Sequence, residues 1–578
     1  MKKSFTATFL LLVLFLSLPL IAQAQYTFTT NSDGTLNIAQ YTGPGGAVVI
    51  PNITNGLHIT SIGDAAFFEI TTLGGVTVGT NVANIAGQAF SYSSMTSIAL
   101  PASVTNISFD AFHNCNELTN ISVATNNPDY SSAAGVLFNS NRTVLIEFPE
   151  GKAGSYVVPF SVTNLGIYAF FDSSNLTSVA LSTNVNTIED YAFYDTPGLA
   201  AITVNTNNLS YSSVSGVLFD KSQGTLIQYP VGNPATSYLM PNTVTNIGME
   251  AFFNAPNPVS VTLGTNVSVI GGAAFENAGA LASITFPNSV TMISGDAFAE
   301  CSGLTNIAIG TGVTNIQYQA FLGCPGVLAI NVATGNPAFS SLGGVLFNKN
   351  QTALVLYPAA TSGTFYAMPN SVTNITAYAF MDAYNLSGIT LGTNVQSIGD
   401  SAFQYCFNLT SIALPNSVTN IGYSVFYYDF NLTNVVIGSG LSGSGLSTLG
   451  FQDFSFCFNL AGVYFTGNAP GMNSDVFDDD TAATAYYLPG TTGWSPSFDG
   501  LPTALWLPQI VSSAVRTNQF SFYVDWAGGQ KVVVEGCTNL SHPVWSPMQT
   551  NVLAGNSWYF DDPHWTNYPT RFYRVHSQ

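Results

Sequence analysis

Apolar positions in this chain follow neither the 3.6-residue period of a helix nor the strict alternation of a strand. They recur instead around a small residue followed by phenylalanine. The anchors are Phe67, Phe90, Phe112, Phe170, Phe193, Phe252, Phe275, Phe298, Phe321, Phe380, Phe403, Phe426, Phe454 and Phe477. Most anchors follow one another at a nearly constant step, as from Phe252 to Phe275 to Phe298 to Phe321. Three steps are much longer (Phe112 to Phe170, Phe193 to Phe252, Phe321 to Phe380), and the one from Phe426 to Phe454 is slightly longer. One unit reads Phe403, Cys406, Leu409, Ile412, Leu414, Pro415, Val418, Ile421, Phe426. Such spacing predicts a coil that turns a corner every few residues, with short strands at 411–414 and 418–421. A unit this small cannot bury its own apolar face, so the units must stack and share one core.

Cysteine follows the same register. Cys115, Cys301, Cys324, Cys406 and Cys457 each stand three residues after an anchor (Phe112, Phe298, Phe321, Phe403 and Phe454). A recurrent equivalent position predicts a small buried slot filled by free thiols rather than a disulfide framework. Only Cys301 and Cys324 belong to consecutive units and could bond to each other, and Cys537 stands apart.

The Leu409-x-x-Ile412-x-Leu414 core looks like the leucine-rich-repeat signature. The fuller unit, Ser417-Val418-Thr419-Asn420-Ile421-Gly422 followed by Val425-Phe426, resembles the BspA-type leucine-rich repeats of bacterial surface proteins, over about residues 45 to 480. Val425 and Asp453 replace the usual small residue before phenylalanine, and the 426-to-454 step carries five extra residues. The resemblance implies a right-handed solenoid and, more loosely, adhesion or protein binding. It brings no catalytic residues with it.

Around this array the chain divides further. Residues 1–24 read as an export signal: Lys2 and Lys3, an apolar run at 9–21, and Ala22-Gln23-Ala24 as the cleavage site. Alternation at 25–51 predicts an N-terminal β cap, and the solenoid occupies 52–485. Inserts near 124–160, 205–241 and 333–369 share Gly-Val-Leu-Phe and an aromatic-Pro pair around polar tips at 139–142, 220–224 and 348–351, the pattern of β-hairpins. Residues 486–508 read as a terminal cap and hinge. The last segment, 509–578, is a small all-β module, in which 520–526 and 531–535 are expected to pair as a hairpin and 557–560 and 571–575 to add strands.

Composition narrows the function. Only 7% of residues are charged, 10 basic against 30 acidic, while 46% are hydrophobic and 13% aromatic. So few cations argue against nucleic acid as a partner, and no stretch after the signal is long and apolar enough to span a bilayer. Between 26 and 508 the only cations are Arg142, Lys152, Lys221 and Lys349, all in the inserts, against 26 carboxylates, so the solenoid is expected to be acidic at 4 − 26 = −22 with basic hairpin tips. Those four are the candidate contact residues. The flat sheet face (Thr305, Asn306, Ala308; Thr410, Ser411, Ala413) lacks the aromatic or arginine anchors of tight interfaces.

Catalytic signals are weak. The five histidines form no ligand pair, and Gly438-x-Gly440-x-x-Gly443 lacks the strand-then-helix setting of a dinucleotide site. Asp478-Asp479-Asp480 reads as a solvated acidic turn, and Asp64, Asp110, Asp296 and Asp400 read as corner caps. No metal or cofactor is expected. The sequence therefore points to a secreted or surface, non-enzymatic binding or adhesion scaffold for a protein or polysaccharide. The alternatives are a structural component of an envelope or matrix, and a hydrolase with its site in the C-terminal module.

Overall fold

A computed structural model of the chain describes residues 25–480, 482–516 and 519–577; the expected export signal at 1–24 lies outside the described residues. The chain divides into two units after Cys324.

In the first unit each coil places a strand of about four residues on one face and a two-residue strand on another. Strands Ser283–Thr285 and Asn306–Ile309 pair in parallel with Ile284 opposite Ile307. Strands Met292–Ile293 and Asn315–Ile316 pair in parallel on the second face. Paired residues hold the same place in consecutive coils, so every ladder joins identical repeat positions. The N-terminal strands Tyr26–Thr30 and Leu36–Tyr41 form an antiparallel pair, and the latter joins Leu57–Ile62 in parallel at the start of the short-strand ladder.

The third side is the anchor turn, where the backbone alternates in hand. Two residues before and two after most anchor phenylalanines, φ is positive: 52° at Ala273 and 57° at Asn277 around Phe275, 56° at Asp296 and Glu300 around Phe298. For residues other than glycine this costs about 1 kcal/mol each. The alternation points successive N–H groups in one direction. The amides of Ala273, Phe275 and Asn277 donate to the carbonyls of Gly295, Ala297 and Ala299 in the next coil, at 3.1, 2.7 and 2.8 Å. The phenylalanines stack inside this ladder: Phe252 on Phe275 at 4.5 Å, Phe275 on Phe298 at 4.9 Å and Phe298 on Phe321 at 5.4 Å.

The inserts are built into the stack rather than added to it. Phe148, Tyr229 and Tyr357, each before a proline, serve as anchors of enlarged coils. Phe148 packs on Phe170 at 5.4 Å, Tyr229 stacks on Phe252 at 4.7 Å and Tyr357 on Phe380 at 4.9 Å. Each long step is thus one enlarged coil, ending at one of these rings, followed by one coil of ordinary length. Within the enlarged coil three strands, such as Tyr130–Ala133, Val136–Asn139 and Val144–Glu147, pair antiparallel before the last joins the short-strand ladder at Asn164–Leu165. The middle strand is buried on both sides. Leu137 packs with the preceding block of coils, while Val136 and Phe138 pack with the following block.

A buried asparagine holds the entry to each insert. Asn208 is fully buried, its amide donating to the carbonyls of Ser182 and Val185 and its oxygen accepting from the amides of Ser210 and Tyr211, all at 2.8 Å. Asn127 makes the equivalent four bonds in the first insert.

The second unit repeats the plan from 325 onward. Phe380, Phe403, Phe426, Phe454 and Phe477 stack at 4.8 to 5.3 Å. Strand Ser411–Leu414 lies where the spacing predicts it, but its companion is only Asn420–Ile421. Val418 is still turning the corner, its amide donating to the Pro415 carbonyl. The parallel ladder continues past residue 485 through Thr484–Tyr487 and Leu501–Leu505.

The C-terminal residues form two three-stranded antiparallel sheets around one core, including Phe522, Val524, Trp526, Val532, Val534 and Phe560. The expected hairpin between 520–526 and 531–535 is not formed. Gln519–Asp525 pairs with Gln509–Arg516 and Ser557–Asp562, whereas Lys531–Cys537 pairs with Ser546–Val552 and Phe572–Ser577. Trp526 and Ala527 are buried, so the chain crosses from one sheet to the other through the core edge instead of turning back in plane.

Replacing Asn208 with alanine leaves two amides and two carbonyls unpaired in a dry site. The expected loss is about 3 kcal/mol or more, read from the urea unfolding midpoint; a loss near zero would mean that water replaces the side chain.

Candidate binding surfaces

The slot three residues after each anchor recurs from coil to coil. Phe112, Phe298, Phe321 and Phe403 are buried ladder rings, and the cysteines behind them are free and buried. Each thiol donates to the carbonyl of the preceding anchor: Cys115 to Phe90 (3.1 Å), Cys301 to Phe275 (3.0 Å), Cys324 to Phe298 (3.0 Å), Cys406 to Phe380 (3.1 Å) and Cys457 to Phe426 (3.1 Å). Burial pushes the thiols of Cys115 and Cys301 up to about 12 and those of Cys406 and Cys457 well above their usual range. A raised pKa disfavours the thiolate, and the thiols fill the slot between coils.

The same slot explains two carboxyls. Asp429 and Asp480 stand three residues after Phe426 and Phe477, and both are buried. Asp480 is therefore not part of a solvated turn, although Asp478 and Asp479 beside it are exposed. Burial raises Asp480 to about 8 and Asp429 well above the usual carboxyl range. Asp453 is lifted to about 8 by burial, although the amides of Gly450 and Val425 partly offset it. Glu150 rises to about 10, through burial first and then through Glu147 and Asp172. A formal charge of 4 − 26 = −22 for the solenoid thus overstates its negative charge at neutral pH. Other carboxylates do cap corners: Asp64 accepts from the Gly87 amide at 3.0 Å and Asp400 from that of Tyr423 at 2.9 Å.

The four candidate cations fall into two groups. Arg142, Lys221 and Lys349 are at insert tips, where each reaches back to a main-chain carbonyl of its own insert. Arg142 donates to Ser132 (2.9 Å), Lys221 to Thr206 (3.2 Å) and Lys349 to Asn336 (2.5 Å). Lys152 is elsewhere, in the turn after Val144–Glu147, because its amide donates to the Pro149 carbonyl at the far end of that strand.

The structure supplies the aromatic anchors that the flat sheet face lacks. They lie on the outer side of the anchor turn. In the second unit Tyr384, Phe407, Phe430 and Phe458 stack at 5.4, 4.9 and 5.8 Å. Each precedes an asparagine. The amides of Asn408, Asn431 and Asn459 donate to the carbonyls of Tyr384, Phe407 and Phe430 in the coil before. Beside them the hydroxyls of Ser387, Thr410 and Thr433 donate to Thr364, Ser387 and Thr410 at 2.9, 3.2 and 3.0 Å. Having given up their one proton, these hydroxyls can only accept from a ligand. The asparagines that follow the rings and the Ser/Thr hydroxyls line a shallow groove of about 590 Å³, with no lysine or arginine in its lining.

The first unit has its own aromatic cluster. Phe109 stacks on Tyr168 (5.6 Å), Tyr168 on Tyr191 (5.1 Å), His113 on Phe171 (4.2 Å) and Tyr194 on Phe253 (4.4 Å). Burial lowers the pKa of His113, so it is a neutral ring in this stack at neutral pH. The signal for both clusters was present in the sequence, as aromatic residues flanking the anchor in Ala169-Phe170-Phe171, Val425-Phe426-Tyr427-Tyr428 and Phe430-Asn431-Leu432. It is visible only once the flank is known to face outward.

Among the described residues no three His, Cys, Asp or Glu side chains are grouped to hold a metal ion. The Gly438 to Gly443 stretch contains a 3-10 turn between two strands, so no helix N-terminus is available to receive a phosphate. Among the described residues no helix is long and apolar enough to cross a membrane.

Stacked coils of this kind define a leucine-rich-repeat solenoid. The profile of BspA type leucine rich repeat regions matches residues 47–153, 145–223, 232–352 and 359–484, and the chain belongs to that family. No curated protein matches it significantly. Among solved structures it is similar to a leucine-rich repeat protein from Eubacterium ventriosum, at 24% identity over 61% of this chain and 80% of that one, with a TM-score of 0.36. It is also similar to a leucine rich cell surface protein from Faecalibacterium prausnitzii (21% identity, 77% and 94% covered, TM-score 0.34). A third is the pneumococcal vaccine antigen PcpA (20%, 62% and 91%, TM-score 0.39).

Two outcomes follow for the buried groups. The native chain should leave a thiol reagent such as DTNB unreacted over hours, and all six cysteines should react after unfolding in guanidinium; fast reaction of any thiol in the native state would contradict its burial. For the carboxyls, the folded pKa lies above the unfolded value of about 4. Both states are protonated below that value; above it only the unfolded chain ionises, until the folded pKa is reached. Stability should therefore fall as pH rises from about 4 toward 8, and Glu150→Gln and Asp480→Asn should flatten the slope. Melting temperature against pH at fixed ionic strength reads this directly, and a rise across that window would show the carboxyls to be ionised.

Proposed function

We propose that this chain is a secreted or cell-surface scaffold that binds a protein or polysaccharide without catalysis, using the ring-and-asparagine edge of the second unit. The observation that carries the reading is the stack of Tyr384, Phe407, Phe430 and Phe458 beside the acceptor row of the groove. Aromatic residues are the commonest energetic anchors of binding surfaces. Repetition at the coil spacing suits a polymeric or repetitive ligand, for which several weak contacts add up to avidity. A surface location is supported by the signal-like pattern at 1–24 and by membership of the BspA-type family. The insert tips are the weaker candidates, because their cations are held by carbonyls of their own inserts.

The test is binding of the intact chain to a panel of bacterial cells, matrix proteins and polysaccharides. A triple variant, Phe407→Ser, Phe430→Ser and Phe458→Ser, should bind its target roughly tenfold or more weakly with an unchanged circular dichroism spectrum. Replacing the three insert tips by Gly-Ser should leave binding intact. The opposite pattern would move the site to the tips, and no binding to any member of the panel would remove the scaffold reading.

A further inference from the structure

The second unit holds a different kind of site beyond the groove, a discrete cleft of about 660 Å³ between its last parallel strands and the C-terminal sandwich. On the outward face of the ladder, one row of aligned positions carries Ala413, Val436, Tyr464 and Tyr486 on successive strands. Equivalent positions elsewhere hold small or aliphatic residues, such as Thr285, Ala308 and Leu239. Only beside the C-terminal module does the row become aromatic. Tyr464 and Tyr486 stack at 4.9 Å with 11° between their planes, and Trp506 leans against Tyr464 at 4.9 Å and 57°.

This shelf has been given room. Gly462 stands two residues before Tyr464 on the same strand, and a Cβ there would lie 2.6 Å from the tyrosine ring. The aligned position on the neighbouring strands is Asn434 or Thr484, so the glycine is local to this coil. Trp506 is fixed from behind, its carbonyl accepting from the Trp526 indole N–H at 2.9 Å and its amide donating to Tyr487 at 2.8 Å.

The polar groups around the shelf are amides and one carboxylate. Asp525 lines the cleft with a buried Oδ1 that accepts no hydrogen bond, an arrangement that invites a donor from a ligand. Asn434 uses one amide proton on Thr433 at 3.0 Å, and Asn556 accepts from the Gly528 amide at 3.3 Å, so each retains capacity on its other atoms. No lysine or arginine lines the cleft, which disfavours an anionic ligand.

From this we infer that the cleft is a saccharide subsite, taking a neutral pyranose whose C–H face packs on the Tyr464–Tyr486–Trp506 rings and whose hydroxyls bond to Asp525, Asn434 and Asn556. Rings flanked by convergent amide and carboxyl groups match a compact ligand that is apolar on its faces and polar around its edge. The subsite does not depend on the groove of the first proposal. A chain that adheres to its target but binds no oligosaccharide keeps that reading and loses this one.

The experiment titrates the intact chain with neutral hexasaccharides of β-1,4-glucose, β-1,3-glucose, α-1,4-glucose and β-1,4-mannose, following tryptophan fluorescence and calorimetry. At least one should bind saturably, with affinity reduced roughly tenfold or more by Tyr464→Ala and by Gly462→Val. Asp525→Asn keeps the fold's shape while removing the carboxylate and should weaken the same ligand. Tyr318→Ala, at an exposed position of the first unit, is the control and should bind normally. Tetramethylammonium tests the competing idea that rings and a carboxylate form a cation cage. Saturable binding of that cation with none of the sugars, no binding at all, or sugar binding that survives both shelf variants would overturn the assignment.

Discussion

The hydrogen-bond ladder through the anchor turns is the constraint on which everything else depends. A residue that turns a corner normally exposes its amide to water, and a buried corner would leave it unpaired. Here alternation between right- and left-handed backbone around each phenylalanine aims three amides per turn along the stack, into carbonyls one repeat away. The conformational cost recurs at most anchor phenylalanines, at residues as unlike as Ala273, Glu300 and Tyr405. It is met because the same geometry stacks the phenylalanine rings within each unit, at 4.5, 4.9 and 5.4 Å in three successive pairs of the first. Strain, hydrogen bonds and ring packing thus form one cooperative arrangement, and a coil outside the array would bear the strain without its compensation.

That arrangement also decides where variation is allowed. Inward positions tolerate only what fits a fixed slot: a thiol, a small residue, or a carboxyl whose pKa burial raises, such as Asp429. The enlarged coils obey the same rule, since Phe148, Tyr229 and Tyr357 rejoin the ladder after each excursion. The middle strand of the first insert is buried on both faces, which makes that insert a joint between two blocks of coils. Side chains are free to change on the outer flank of the anchor turn and on the sheet face. Aromatic residues have gathered at those places, beside the groove and beside the terminal cleft.

Charge follows from the same geometry. Asparagine, serine and threonine bond to carbonyls of the preceding coil, as Asn431 does to Phe407 and Thr433 to Thr410. Polar groups are therefore satisfied along the stack rather than by ions. The few carboxyls that enter the interior do so in protonated form or as caps on amides, so a low content of charged residues accompanies an ordered polar surface.

From its sequence alone this protein could be recognised as a stack of coils, because anchor spacing, the cysteine slot and strand positions such as 411–414 depend on local pattern and repeat at fixed intervals. Regular repetition makes tertiary contacts local, since each coil meets only its neighbours. Features outside the repeat depended on the folded chain. The second strand of each unit is shortened because Val418 turns a corner through a bond to Pro415. The strands at 519–525 and 531–537 lie in different sheets because Trp526 and Ala527 are buried between them. Asp480 lies in the interior although its neighbours in the acidic run do not, as slot position outweighs composition. The aromatic surfaces belong to this second group: stacking brings together rings from successive coils, and the Tyr464 shelf has room because Gly462 carries no side chain beside the ring. The repeat period is written in local pattern, while packing determined which residues face outward together.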